Sequence, residues 1–266
     1  TGPGVLDELV CDGHAYLAAP ADLALCVDDA STRHEAQRSV RVLEETAQRV
    51  RLRVEGAHRR PDGTRCLNYR LDVEVWAGWP AVRLDYHYFH LEPGQPEQRI
   101  TRIALDTAWN LGAETRRHFL QMNYGLFYVS RHVFNPAPVA LAADFSRESA
   151  HVEDPAMLLD DVDYPFYLHA PLVNTQDWLG VRDADRAVYL QMQDFTAARP
   201  NRLTSAENRL AAEVWPSTAG TLELPQGRSR RQTLTLAFVA HQEVGARTAK
   251  LSNAPIQAPT GVAGIL

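Results

Sequence analysis

The sequence predicts an all-β fold, a large antiparallel β-sandwich, from three observations. The first is strict alternation of apolar and polar residues over long segments: Arg49 to Glu55, Cys66 to Trp76, Ala81 to His90, Ala187 to Met192 and Gln232 to Ala240. Successive side chains on a strand point to opposite faces, so alternation builds a sheet with one buried face. The second is the punctuation between these segments: Pro61-Asp62-Gly63-Thr64, Gly78-Trp79-Pro80, Pro200-Asn201, Pro216-Ser217 and Pro225-Gln226-Gly227. Proline presets φ at such positions and glycine accepts a positive φ, so each marks a turn. The third is the lack of any fixed-period repeat, which argues against a propeller or β-helix. Roughly a dozen or more strands in one chain favour two stacked sheets over a closed barrel.

Along the chain, residues 5–30 predict two or three short strands with a turn at Cys11-Asp12-Gly13. Val40 to His58 reads as one long extended segment. A helix across Glu35 to Arg49 is the competing reading, and it loses because the alternation at 49–55 would begin abruptly at its end. The Pro61–Thr64 turn then joins Cys66–Trp76, and Gly78-Trp79-Pro80 joins that to Ala81–His90, giving a meander. Arg102 to Trp109 and Thr115 to Tyr128 are further extended candidates. Asn135 to Pro165 holds Pro136, Pro138, Pro155, Pro165 and the acidic group Asp160-Asp161-Asp163, and predicts a long irregular excursion. Strands return at Ala187–Met192, Leu210–Trp215, Thr221–Leu224 and Gln232–Ala240. The expected core includes Val54, Leu71, Val73, Val75, Leu84, Leu190, Val214, Leu234 and Leu236. The expected organisation is a sandwich domain over 1–245 and a linker over 246–266, where prolines replace periodicity. A start that runs from Thr1-Gly2-Pro3-Gly4 straight into apolar sequence leads to the expectation of a piece cut from a longer protein.

Composition bounds the function more than it names it. The chain has 266 residues, 45% of them hydrophobic, and a net charge of −6. Modest acidity gives no reason to expect nucleic acid as a partner. No apolar run approaches the roughly 18 residues of a membrane span, so no membrane partner is expected. Of the basic residues only Lys250 is lysine, a bias that reads as genomic base composition. Cys11, Cys26 and Cys66 form neither a zinc pattern nor a disulfide framework, leaving one bridge plus a thiol, or three thiols. No phosphate loop, nucleophile elbow, zinc signature or calcium loop is present, and neither metal nor cofactor is expected. Asp160-Asp161-Val162-Asp163 lacks the glycine and terminal Glu of a calcium loop and reads as a solvated acidic loop.

Chemistry concentrates in Arg116 to His132. Two histidines, two tyrosines and three arginines fall within these 17 residues. Arginine pairs with a carboxylate, and histidine or tyrosine can move a proton. In β-elimination of a uronate the base removes the proton beside the carboxylate while a cation stabilises the charge that develops. The candidate catalytic residues are therefore His118, Tyr124, Tyr128, Arg131 and His132, with Arg117 and Trp178 as substrate-binding candidates. The same composition fits an exposed sheet edge with solvated arginines, and Trp178 fits an anchor for a returning strand. Tyr86, Tyr88 and His90 share a face that could stack on sugars or pack in a core. No carboxylate pair stands out as the acid and nucleophile of a glycoside hydrolase.

Glu213-Val214-Trp215-Pro216, then Leu224-Pro225-Gln226-Gly227 and Thr233 to Phe238, resemble the end of the central β-sandwich in rhamnogalacturonan exolyase/YetA-like proteins. Thr1-Gly2, the Pro61–Thr64 hairpin, and Tyr69 to Gly78 before Val82-Arg83-Leu84 resemble its earlier part. The resemblance spans roughly residues 1–245. It implies a curved supersandwich of the galactose-mutarotase-like kind, set in the parent chain between an N-terminal barrel-like domain and a C-terminal α/α toroid. It implies a polysaccharide lyase acting on an acidic, pectin-like glycan, with polysaccharide or oligosaccharide and the flanking domains as partners. The alternative is a glycan-binding or structural scaffold domain. No family catalytic residue carries over to a numbered position here, and this fragment alone is expected to be inactive. Cellular location is not legible in the sequence.

Overall fold

The computed structural model describes residues 4–11, 13–34, 38–90, 97–124, 128–153 and 174–240. The described residues contain no α-helix; a single 3-10 turn, Ser217–Ala219, interrupts the strands. The strands in chain order are β1 (Val10–Cys11), β2 (His14–Ala15), β3 (Leu17–Val27), β4 (Ala30–Ser31), β5 (Arg33–His34), β6 (Ser39–Glu45), β7 (Arg49–Arg59), β8 (Arg65–Trp76), β9 (Ala81–Phe89), β10 (Gln98–Trp109) and β11 (Arg116–Tyr124). They continue as β12 (Tyr128–Asn135), β13 (Val139–Ala143), β14 (His151–Val152), β15 (Asn174–Thr175), β16 (Trp178–Arg182), β17 (Arg186–Met192), β18 (Asn201–Ala206), β19 (Arg209–Trp215), β20 (Leu222–Leu224) and β21 (Ser229–Ala240).

All pairings are antiparallel, and they resolve into two layers. The larger sheet runs β6-β7-β8-β9-β21-β17-β16-β11-β12. The smaller runs β3-β10-β19-β18-β13-β14. The short strand β15 bridges β14 to β11, so the layers join along one side. Between them lies one core: Leu71, Val73, Leu84, Leu190, Leu234 and Leu236 from the larger sheet meet Leu25, Ile103, Leu203 and Val214 from the smaller. Phe238 on β21 packs against Tyr16 at 5.1 Å and against Trp109 on β10 at 5.9 Å between ring centroids. The chain is thus a large antiparallel β-sandwich, as its alternation predicts.

Turn chemistry holds the register. At Pro61–Thr64 the Asp62 carboxylate accepts the Thr64 amide at 2.8 Å, and Gly63 takes φ +87°, which a side chain would resist. The meander's outer face carries cross-strand ion pairs. Arg53 grips Asp72 with two nitrogens at 2.7 and 2.8 Å, and Arg49 reaches both Glu44 and Glu74. Such exposed pairs contribute little individually; here they align strands whose other face makes the core.

Several sequence expectations change. Val40 to His58 is not one strand but the hairpin β6–β7. Its turn uses the Thr46 hydroxyl, which accepts the amides of Gln48 and Arg49, in place of Gly or Pro. The extended stretch from Thr115 ends at Tyr124, and Tyr128 begins the next strand. The expected excursion from Asn135 contains β13 in full register with β18. Asp160, Asp161 and Asp163, and the linker over 246–266, lie outside the described residues. Cys11, Cys26 and Cys66 are all free thiols, and burial pushes the Cys66 thiol up to about 11. Tyr86, Tyr88 and His90 are buried, with the two tyrosine rings in the inter-sheet core.

Val75 is the core residue that fails. It is 37% exposed, whereas Val82 beside it on β9 is buried. Val40 and Val42 on the edge strand β6 are more open still, at 63% and 60%. Val75 lies near the end of β8, where the cover over the core face runs out although Leu52 and Val54 of β7 still pack against the core, and alternation cannot report where that cover ends. Leu84→Ala should therefore cost about 2–5 kcal/mol in chemical denaturation, and Val75→Thr about 1 kcal/mol or less. Similar losses at both positions would contradict the boundary drawn here. Among the described residues no helix is long and apolar enough to cross a membrane.

Candidate functional site

The larger sheet has a second apolar cluster on the face turned away from the inter-sheet core. Ala81, Leu120, Trp178, Ala187, Tyr189, Ala237 and Val239 form it, with Trp79 packed against it. The middle of this sheet is therefore buried on both faces, and any polar group placed there must find a partner within the protein.

Register sets the group that matters. Phe134 on β12 lies opposite His118 on β11, His118 opposite Gly180 on β16, and Gly180 opposite Tyr189 on β17. These four share one row on the outer face. Because Gly180 has no side chain, the Tyr189 ring leans across it and its hydroxyl reaches His118 Nδ1 at 2.9 Å. A Cβ on Gly180 would stand 2.4 Å from a Tyr189 ring carbon. His118 Nε2 meets His132 Nδ1 at 2.9 Å. Both nitrogens of His118 are thus occupied, and a hydrogen-bonded chain runs Tyr189–His118–His132. Phe134 stacks on the His118 ring at 4.2 Å, and Trp178 meets the ring edge-on at 5.0 Å.

The chain grades from inside to outside. His118 is 0% exposed, and His132 is partly exposed. Burial holds the His118 imidazole well below its ordinary range, and the neighbouring His132 and the Arg182 cation push the same way. Burial alone lowers His132. It pushes the Tyr189 phenol up to about 12. All three groups are neutral near pH 7, and His132 is the one within reach of solvent.

Beside this row, Arg116 on β11 lies directly opposite Arg182 on β16. Both share the outer face with His118 and Gly180. The Arg182 guanidinium sits over the Phe134 ring, 5.3 Å from its centroid. A cleft of about 490 Å³ opens there, lined by Glu114, Arg116, Phe134, Arg182, Asp183 and Asp185 among others. Asp183 is already committed. Burial raises its carboxyl, but the amides of Gly112, Asp185 and Arg186 outweigh that and hold it low. A second cleft of about 800 Å³ opens on the other side of Arg116, toward Trp109, Arg117 and Arg209. Among the described residues, no cluster of three or more His, Cys, Asp or Glu could hold a metal ion.

The sequence-predicted residues divide accordingly. His118, His132 and Trp178 come together. Tyr124 and Tyr128 sit opposite each other on β11 and β12; their side chains, and that of Arg131, lie outside the described residues. Arg117 is on the opposite face of β11 from His118. It is buried, and its guanidinium donates to the carbonyls of Thr115, Pro136 and Glu207. Trp178 is 1% exposed, with its indole N–H donated to Gln176 Oε1. Sequence reasoning missed Tyr189, Phe134, Arg182 and Gly180. Their alternation puts each on a definite face, but only the strand order shows that three separate strands bring those faces to His118 on a fourth.

No family model and no curated protein matches the chain. Among solved structures it is similar to the α-galactosidase AgaA of Geobacillus stearothermophilus, at 8% identity and TM-score 0.48, over 82% of this chain and 30% of that one. It is similar to the α-galactosidase of Lactobacillus brevis, at 6% identity and TM-score 0.47, over 88% of this chain and 31% of that one. It is also similar to a candidate aldose 1-epimerase of Escherichia coli K12, at 11% identity and TM-score 0.40, over 90% of this chain and 81% of that one. The chain spans about a third of the length of the α-galactosidases it matches.

Two outcomes follow from this geometry. Gly180→Ala should cost about 1–3 kcal/mol by overpacking and should break the Tyr189–His118 bond, seen as altered His118 imidazole shifts in NMR. Unchanged stability and shifts would show that Tyr189 does not depend on the gap. Unfolded His118 binds a proton below about pH 6.5 and folded His118 does not, so the folded state loses stability as pH falls from there toward the folded value. The unfolding free energy should drop between pH 7 and pH 5, by up to about 1.4 kcal/mol per pH unit for this one group. In His118→Gln, which keeps hydrogen-bonding groups but gains no proton, the slope should shrink; an identical slope would place the titration elsewhere.

Proposed function

We propose that this chain is the β-sandwich portion of a carbohydrate-active protein, that its working surface is the outer face of the larger sheet, and that His132 acts there on an acidic glycan. The observation that carries the reading is the Tyr189–His118–His132 chain, which ends in a partly exposed imidazole on the same sheet face as Arg116 and Arg182.

In its base form, His132 Nδ1–H donates to His118 Nε2 and His118 Nδ1–H donates to the Tyr189 oxygen. His132 Nε2 then keeps its lone pair for substrate. Burial keeps both imidazoles neutral, so the lone pair is available at neutral pH. When His132 takes a proton the charge stays there, because desolvation disfavours it on His118. His118 is in this sense a positioning residue. It fixes the tautomer and orientation of His132, as Tyr189 fixes its own. The reaction this suits is β-elimination. His132 removes the proton beside the carboxylate, the C–H electron pair becomes the new double bond, and the glycosidic C–O bond breaks. The departing oxygen then takes the proton.

A second reading has an observation of its own. Trp178 and His118 are sealed, and a sealed aromatic row is also what a scaffold or glycan-binding domain would carry. Turnover separates the two. With a rhamnogalacturonan-type pectin, the protein and any domains its gene appends should release unsaturated uronate, read by absorbance. His132→Ala should lower that rate by about a hundredfold or more with binding retained. Wild-type turnover in the variant would remove His132 from the chemistry, and binding without product from the wild-type protein would favour the scaffold reading.

A further inference from the structure

Strand β6 is the edge of the larger sheet farthest from His118 and His132, and among the described residues it pairs only with β7. Its Val40 and Val42 stand opposite Val54 and Leu52, so they continue the core face past the point where cover runs out. Val40 is 63% exposed, Val42 60% and Leu43 39%. A free edge carrying adjacent aliphatic side chains in water is a template for a partner strand. A bulge sets the faces. Val42 and Glu44 oppose the consecutive residues Leu52 and Arg51, so Leu43 is the extra residue. Glu44 is thereby returned to the outer face, which it shares with Arg41, opposite Arg53.

We infer that β6 pairs antiparallel with β6 of a second copy of this chain, about a two-fold axis between Val42 and Leu43. Arg41 of each copy then lies opposite Glu44 of the other, Val42 opposite Leu43, and Val40 opposite Glu45. Directly opposite residues share a face. This register respects that rule, because Arg41 and Glu44 are both on the outer face, while Val40 and Glu45, which opposes Val50, both continue the core face. An axis through Arg41 would set that arginine against its own copy. One through Val42 would set Val40 on the core face against Glu44 on the outer face. Charge and face therefore select one register. Arg41 gives one nitrogen to Glu55 and its side chain is 60% exposed, which leaves room for a second carboxylate; Arg49 holds Glu44 in place. Bulges and charges are the usual guards of a free edge. Here they exclude strands of other sequence and match their own copy, which is why the occupant is a second copy and the interface isologous. The edge is short, so the dimer is weak, with Kd between roughly 10 μM and 1 mM. It lies apart from the outer-face row and does not depend on the reaction proposed there.

Sedimentation velocity of the whole chain from about 1 μM to 1 mM tests this. The wild type should pass from monomer to dimer within that range. Val42→Lys should stay monomeric with an unchanged denaturation midpoint, since Val42 is exposed in the single copy. Arg41→Glu and Glu44→Arg should each weaken self-association about tenfold or more, because each sets like charges opposite one another twice. Mixed in equal amounts, these two variants should associate about as tightly as the wild type, because one copy then carries two acidic side chains where the other carries two basic ones. A wild type that stays monomeric throughout, a dimer that survives Val42→Lys, single charge variants that self-associate like the wild type, or a mixture that does not recover association would each overturn the inference.

Discussion

Burial of one sheet on both of its faces governs this structure. The larger sheet gives one face to the smaller sheet, and its middle strands give the other to a compact aromatic cluster. A strand so enclosed has no solvent to satisfy a polar side chain, and an unmade hydrogen bond there costs about 1–3 kcal/mol. His118 sits in that position. It is tolerated because Tyr189 and His132 take both of its nitrogens, and Tyr189 reaches it only because Gly180 leaves the intervening strand bare. Packing, register and polar satisfaction meet at one imidazole.

The same enclosure gives the site its electrostatic character. Desolvation acts on the three members of the chain in one sense, disfavouring charge on His118, His132 and Tyr189 alike. The nearby charges lie outward, where Arg116 and Arg182 share the cleft with Glu114 and Asp185. The row is thus neutral at its buried centre, with its charged neighbours toward solvent.

Much of the architecture was legible because alternation reports directly on faces. Cys66–Trp76, Ala81–His90 and Gln232–Ala240 all became strands, and the turn at Pro61–Thr64 formed by the chemistry its residues suggest. The failures have physical reasons. Thr46 makes a turn through its hydroxyl, without Gly or Pro to announce it. Val75 alternates like its neighbours but lies where the covering sheet has ended. The site was half legible. His118 and His132 could be suspected from clustered chemistry in one segment. Arg117, in the same cluster, points to the other face and spends its guanidinium on three carbonyls. Tyr189, Gly180 and Arg182 come from distant strands, and only non-local pairing brings them to His118.

The central claim is that His118 is a neutral, doubly hydrogen-bonded imidazole that orients His132. Long-range nitrogen–proton correlation NMR on the uniformly ¹⁵N-labelled chain at neutral pH reads this directly, since ring nitrogen shifts report tautomer and charge. The account predicts one fixed neutral tautomer for His118, protonated at Nδ1, with His132 also neutral and protonated at Nδ1. An imidazolium at His118, or averaged shifts from a freely exchanging ring, would contradict it.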